Sequence, residues 1–167
     1  SLRLSVVGYH VLEQDDLNIN MNSLQGYIQS LSQALKSENP RFQSYGIKTS
    51  SGAYQQLSTG LLQIENEYYS LIRPKSRLDD TGSTLVGLSR SGIEYLEVRG
   101  LDLNLFEPLG MTEEDSAFLD LFLMHLLLYP SAPLSFEAMK RSKENLMTIV
   151  LHGREKDIQL NEEANDM

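Results

Sequence analysis

Ile93-Glu94-Tyr95-Leu96-Glu97-Val98-Arg99, continuing through Gly100-Leu101-Asp102-Leu103, is the stretch that decides how this chain folds. Successive side chains of a strand point to opposite faces, and β-branched and aromatic residues favour that pleated surface. The spacing predicts a strand over 93–103, with Glu94, Leu96 and Val98 on one face. Ile93, Tyr95, Glu97 and Arg99 occupy the other. A carboxylate beside a guanidinium suits a polar cavity, the first for a hard cation and the second for a phosphoryl oxygen. An ion pair on a solvated face is the commoner outcome of the same pattern, and the pattern alone leaves both open.

Upstream, Gln63-Ile64-Glu65-Asn66-Glu67-Tyr68-Tyr69 runs into Ile72-Arg73-Pro74-Lys75. The segment 61–72 reads as a second strand closed by Pro74, with Glu65, Glu67 and Tyr69 on one face. Two carboxylates at that spacing contribute to a magnesium site or form an acidic edge that resists aggregation. Residues 47–57 read as a short hairpin turning at Ser51-Gly52, and the charged stretch 75–84 as a surface loop. Gly60, Gly82, Gly87 and Gly92 are too scattered for a phosphate cradle and read as turns.

Around these strands lie helical patterns. Leu24, Tyr27, Ile28, Leu31, Ala34 and Leu35 fall on one face of a helix over 23–36, which must stop before Asn39-Pro40. Thr112 with Asp115 resembles a capping box opening a helix that runs to Pro130. That helix is apolar on nearly every side, which predicts burial in the core or against a missing partner. His125 within it reads as a hydrogen-bonded core residue. Ser135 is the N-cap expected for a last helix ending near Val150, followed by a polar tail from Arg154, about 154–167, that frays. The fold class is α+β, with a largely antiparallel sheet and flanking helices.

Composition narrows the function classes. The 14 basic and 23 acidic residues leave a net charge of −9, which disfavours nucleic acid or an anionic membrane as a partner. There is no cysteine, so neither disulfides nor a Cys-ligated metal can exist. The longest apolar run, 117–129, is too short to span a bilayer. The three histidines lack ligand spacing, and no Walker loop, dinucleotide fingerprint or Ser-His-Asp pattern is readable.

An ordered set of motifs is more specific. Ser1-Leu2-Arg3-Leu4-Ser5 leading to Gly8-Tyr9 is followed by Leu62-Gln63-Ile64-Glu65-Asn66-Glu67 with Tyr69, and by Ile72-Arg73-Pro74-Lys75. Then come Gly92-Ile93-Glu94-Tyr95-Leu96-Glu97-Val98-Arg99 with Leu101-Asp102-Leu103-Asn104, and Phe118-Leu119-Asp120-Leu121-Phe122. In order and spacing, from Ser1 to about Leu160, the set resembles the bacterial type of glutamate–cysteine ligase.

That resemblance implies a curved, glutamine-synthetase-like sheet and ATP- and magnesium-dependent joining of the glutamate γ-carboxyl to the cysteine amine through an acyl phosphate. This is the first step of glutathione synthesis, carried out in the cytoplasm. It implies Glu97 as a magnesium ligand and Arg99 as the catalytic contact to the transferring phosphoryl group. Arg3 would hold a carboxylate of glutamate, and Tyr9 and Tyr69 would line the cysteine pocket. Glu65, Glu67 and Arg73 are further candidates. The family's enzymes are much longer, so residues 1–167 are expected to be one partial catalytic domain, partnered by the missing N-terminal part of the enzyme and inactive alone. A related carboxylate–amine ligase with another acceptor is the alternative enzyme. A non-catalytic interaction domain that kept the fold is the alternative of a different class.

Overall fold

Ser23 starts the first element, its hydroxyl accepting a hydrogen bond from the Gly26 amide at 3.0 Å. Helix α1 then runs over Leu24–Lys36 and buries Tyr27, Leu31 and Ala34, the stripe expected from the sequence. In this computed structural model the residues described are Leu4, Ser5, Gly8, Gln14, 17–77 and 82–161. They fall into two compact units, residues 11–100 and residues 1–10 with 101–167.

In the first unit, α1 ends as expected, but Asn39-Pro40 also starts a helix. Asn39 accepts from the Arg41 amide at 2.9 Å, Pro40 takes the first turn, and α2 spans Pro40–Tyr45. The chain returns through the expected hairpin, reduced to one antiparallel bridge between Lys48 and Tyr54. Residues 59–62 are then tied to the end of α1 by Asn39 N to Thr59 O at 2.9 Å and Leu61 N to Ser37 O at 2.6 Å. Gly60 permits this approach, because a Cβ there would lie 2.4 Å from the Leu35 carbonyl oxygen. The approach drives Leu62, 1% exposed, into a core with Leu17, Ile19, Tyr27, Leu31, Ala34, Leu85 and Leu88. Burying such side chains supplies about 1.5–3 kcal/mol each.

The strand expected over 61–72 is absent. Glu65–Glu67 form a 3-10 turn instead. The Glu67 carboxylate accepts from the Gln63 and Ile64 amides, giving these donors a local partner in place of a strand neighbour. Pairing begins only with β1, Ile72–Lys75, which runs antiparallel to β2, Tyr95–Val98. The register sets Ile72 against Val98, Arg73 against Glu97, Pro74 against Leu96 and Lys75 against Tyr95. Arg99 N to Leu71 O at 2.7 Å and Glu94 N to Lys75 O at 2.8 Å extend the ladder at its ends. The strand predicted over 93–103 is therefore shortened, because β1 offers no partner beyond Leu71.

Between these strands lies α3, Thr84–Ser91, which the sequence reading passed over. Ser83 caps it, and Glu65 reaches across to accept from Ser83 Oγ at 2.6 Å and the Leu85 amide at 3.1 Å. Gly87 lies inside this helix rather than in a turn. A Cβ there would stand 2.6 Å from the Arg77 carbonyl oxygen, so glycine lets α3 lie against the chain leaving β1.

In the second unit, Thr112 and Asp115 form the expected capping box, with both reciprocal bonds at 3.0 Å. Helix α4, Glu113–Leu128, follows. Of the two fates expected for so apolar a helix, burial in a core of this chain is not met: it buries no residue, and Leu127 is 84% exposed. His125 is exposed and stacks on Tyr129 at 5.1 Å, so it is not a core residue. Helix α5, Phe136–His152, starts after Ser135 and outlasts Val150 by one half-turn. After it, Asn161 N donates to Asn145 Oδ1 at 2.8 Å, and Asn145 Nδ2 donates to Asn161 O at 2.9 Å. The remainder of the expected tail lies outside the described residues.

Candidate functional site

Register decides which side chains share a face of the β1–β2 ladder. Cross-strand pairing puts Arg73 and Lys75 on the same face as Tyr95 and Glu97, and Arg99 follows Glu97 at the period of two. The opposite face carries Ile72, Pro74, Leu96 and Val98. The polar face foreseen for Tyr95, Glu97 and Arg99 is thus formed, with two further cations on it.

Glu97 sits between two of those cations. Its Oε2 lies 3.6 Å from Lys75 Nζ, and its Oε1 lies 3.9 Å from Arg99 Nε. Both separations are ion-pair distances rather than hydrogen bonds. Glu97 Oε2 and Arg99 Nη1 are shielded from solvent, and neither has a hydrogen-bond partner. Leaving such charged groups incomplete is costly, and sites that tolerate it usually complete the bonding with something else. Lys75 and Arg99 flank this one carboxylate, which leaves a local excess of positive charge on a chain that is otherwise acidic.

Tyr69 belongs to the same group, since the Arg99 guanidinium carbon lies 4.9 Å from its ring centroid. Gln14 fixes the tyrosine by clamping the backbone with both ends of its amide. Its Nε2 donates to Glu67 O at 2.6 Å, and its Oε1 accepts from the Tyr69 amide at 2.9 Å.

The other candidates behave differently. Arg73 turns inward and is buried, donating to the carbonyls of Asn66, at 3.0 Å, and Tyr68. Around it, burial raises the Tyr27 phenol pKa and pushes that of Tyr68 up to about 12, while the Arg73 charge opposes both shifts. Glu65 caps α3 and Glu67 closes its own turn, so these carboxylates do not form the paired strand face expected of them. Arg3 and Tyr9 lie outside the described residues. Lys75 is the residue that sequence reasoning missed. Its signal was present in the Ile72-Arg73-Pro74-Lys75 run, but only the strand register turns that run towards Glu97.

Among the described residues, no group of three or more His, Cys, Asp or Glu could hold a metal ion. Magnesium, however, commonly takes only one or two protein carboxylates and completes its octahedron with water and phosphate oxygens. Glu97 Oε2, without a hydrogen-bond partner, fits one such ligand and does not by itself make a closed site.

Residues 1–149 match the family model described as glutamate–cysteine ligase. The chain is 42% identical over 164 residues to a glutamate–cysteine ligase of Alcanivorax borkumensis, covering 96% of this chain and 31% of that one. To the enzyme of that name from Shewanella pealeana it is 40% identical over 167 residues, covering 100% and 32%. A crystal structure of the Francisella tularensis glutamate–cysteine ligase in complex with AMP is similar at a TM-score of 0.88 and 35% identity. That similarity covers 96% of this chain and 32% of the Francisella chain, and bears out the α+β fold class. The chain spans about a third of the length of the relatives it matches.

Proposed function

The chain belongs to the glutamate–cysteine ligase family, and we propose that it forms part of the catalytic domain that joins the γ-carboxyl of glutamate to the amine of cysteine at the expense of ATP. The observation that carries this reading is the pair of shielded, uncompleted atoms Glu97 Oε2 and Arg99 Nη1 on one strand face.

In this reading Arg99 takes an oxygen of the transferring phosphoryl group on Nη1, where negative charge grows as the acyl phosphate forms. Glu97 offers Oε2 as a magnesium ligand. Magnesium, when bound, would neutralise phosphoryl oxygens that otherwise repel one another. Tyr69, held by Gln14 and stacked under the guanidinium, keeps Arg99 aimed and lends an apolar wall to the cysteine pocket. By the family resemblance, Arg3 would hold a glutamate carboxylate by bidentate capture and Tyr9 would line the cysteine pocket. ATP is supplied in the cytoplasm, which is the compartment this reading requires. The rest of the domain comes from the missing part of the enzyme. The share of the relatives' length outside this chain supports that partner, as does the exposed apolar surface of α4.

The test uses the intact enzyme. Glu97→Gln keeps the shape and removes the charge, and Arg99→Lys keeps the charge and removes the planar fork. Each is expected to lower turnover on the order of a hundredfold or more, with the fold preserved. For Glu97→Gln the magnesium requirement rises, and for Arg99→Lys the loss falls on kcat rather than on KM. An exposed ion pair would be worth at most about 1 kcal/mol of stability and nothing in rate. Near-normal steady-state rates in both variants would end the assignment.

A further inference from the structure

Lys75 ends β1 with its ammonium 3.6 Å from Glu97 Oε2 and its side chain only 20% exposed. We propose that Lys75 is a positioning residue of this site: it holds the Glu97 carboxylate in place of the metal, and gives that oxygen up when an anion arrives to take the ammonium. The inference rests on the reading of Glu97 as a magnesium ligand and extends it to an order of binding.

Three features carry it. First, Oε2 is shielded and accepts no hydrogen bond although the Glu97 side chain as a whole is 41% exposed, so the charge nearest this oxygen is what steadies it. Lys75 supplies that charge, from beyond hydrogen-bond distance. Second, the two cations that flank Glu97 differ in freedom. Arg99 is pinned over the Tyr69 ring, whereas lysine carries a compact charge on a flexible four-carbon stem. Only Lys75 can swing aside while the carboxylate stays where the ladder puts it. Third, two cations against one carboxylate leave a local excess of positive charge, and a polyphosphate is the chemical class that would bind Lys75, Arg99 and a divalent cation together. Lys75 therefore opposes metal binding while the site is empty of anion, because its ammonium and the ion compete for one oxygen. Once phosphate oxygens engage the ammonium, that opposition disappears. The consequence is that magnesium and nucleotide bind more tightly together than separately, and Lys75 is the residue that couples them.

The experiment is magnesium titration calorimetry on the intact enzyme without nucleotide, repeated with a non-hydrolysable ATP analogue present. Lys75→Met keeps the stem and removes the charge. It is expected to tighten nucleotide-free magnesium binding on the order of tenfold, since removing one cation at this distance from a partly exposed site is worth about that much. With the analogue bound, Lys75→Met loses this advantage, so the coupling between the two ligands shrinks. Lys75→Arg keeps the charge and is expected to bind magnesium like the unmodified enzyme. A merely structural role for Lys75 would weaken magnesium binding in Lys75→Met or leave it unchanged, and either result overturns the proposal. Glu97→Gln is the control for the underlying reading. If Glu97→Gln binds magnesium normally, the metal assignment fails and Lys75 falls with it. If Glu97→Gln loses magnesium while Lys75→Met gains nothing, only the role of Lys75 fails.

Discussion

Replacing Arg73 by methionine separates a strut from a substrate contact. Arg73 is buried, lies opposite Glu97 in the ladder, and donates to the carbonyl oxygens of Asn66 and Tyr68. Those carbonyls belong to the turn that delivers Tyr69 to the site. Arg73→Met fills a similar space without donors, so two carbonyl groups lose a charged partner. Bonds to charged groups contribute about 1.5–3 kcal/mol each, which sets a gross loss of about 3–6 kcal/mol. Removing a buried guanidinium also relieves its desolvation, and loosening the turn readmits water, so the net loss expected is about 2–4 kcal/mol. Urea unfolding followed by circular dichroism reads this directly: with a slope of about 2 kcal/mol per molar, the midpoint falls by about 1–2 M. Arg73→Lys, with one compact donor group in place of the fork, is expected midway between the two. A midpoint moved by less than about 0.3 M, with substrate affinity lost, would mean that Arg73 faces the ligand, and the strut argument would be wrong.

Gly87→Ala tests the contact between α3 and the chain leaving β1. Alanine is favoured over glycine in a helix by about 1 kcal/mol, but here its Cβ meets the Arg77 carbonyl oxygen at 2.6 Å. A lower melting temperature is expected, and a raised one would refute the contact. Tyr68 governs stability at high pH. Burial raises its folded pKa to about 12, so the neutral phenol is favoured by folding. The stability tied to it is complete below the unfolded pKa near 10 and is lost as pH climbs from there through 12; it amounts to no more than about 2–3 kcal/mol. Phenolate absorbance of the protein minus that of Tyr68→Phe is expected to show one group titrating well above 10, and a difference curve centred at 10 contradicts the burial argument.

Where the fold was legible, the deciding interactions were local. Thr112 and Ser135 each announce a helix through a side chain that bonds an amide three residues on, and both helices start where those residues put them. The period of two correctly placed Glu97 beside Arg99 because a short strand keeps its alternation whatever pairs with it. Segment 63–69 failed for the opposite reason. Its alternating carboxylates look like a strand face, yet Glu67 bonds two amides just before it and Glu65 reaches an element eighteen residues on. A sequence pattern cannot tell a carboxylate that faces solvent from one that caps a distant helix. The short helix α3 was hidden by Gly87, which signals a turn in isolation and is required here by a neighbour out of sequence view. In the site, Tyr69 came from resemblance, and its place under Arg99 came from Gln14, a residue with no motif of its own.

Lys75 and Glu97 stand side by side, but the chain between their strands makes an excursion from Ser76 to Glu94 that holds α3. No tight turn can nucleate this ribbon, so its first hydrogen bond must meet the entropy of closing the whole excursion. Docking of α3 on α1, guided by the Glu65 cap, shortens the span still to be closed. On this topology the polar face is expected to form late in folding, after the apolar layer that brings its strands together. A chain caught before that step would hold its helices and still have no place for a phosphate.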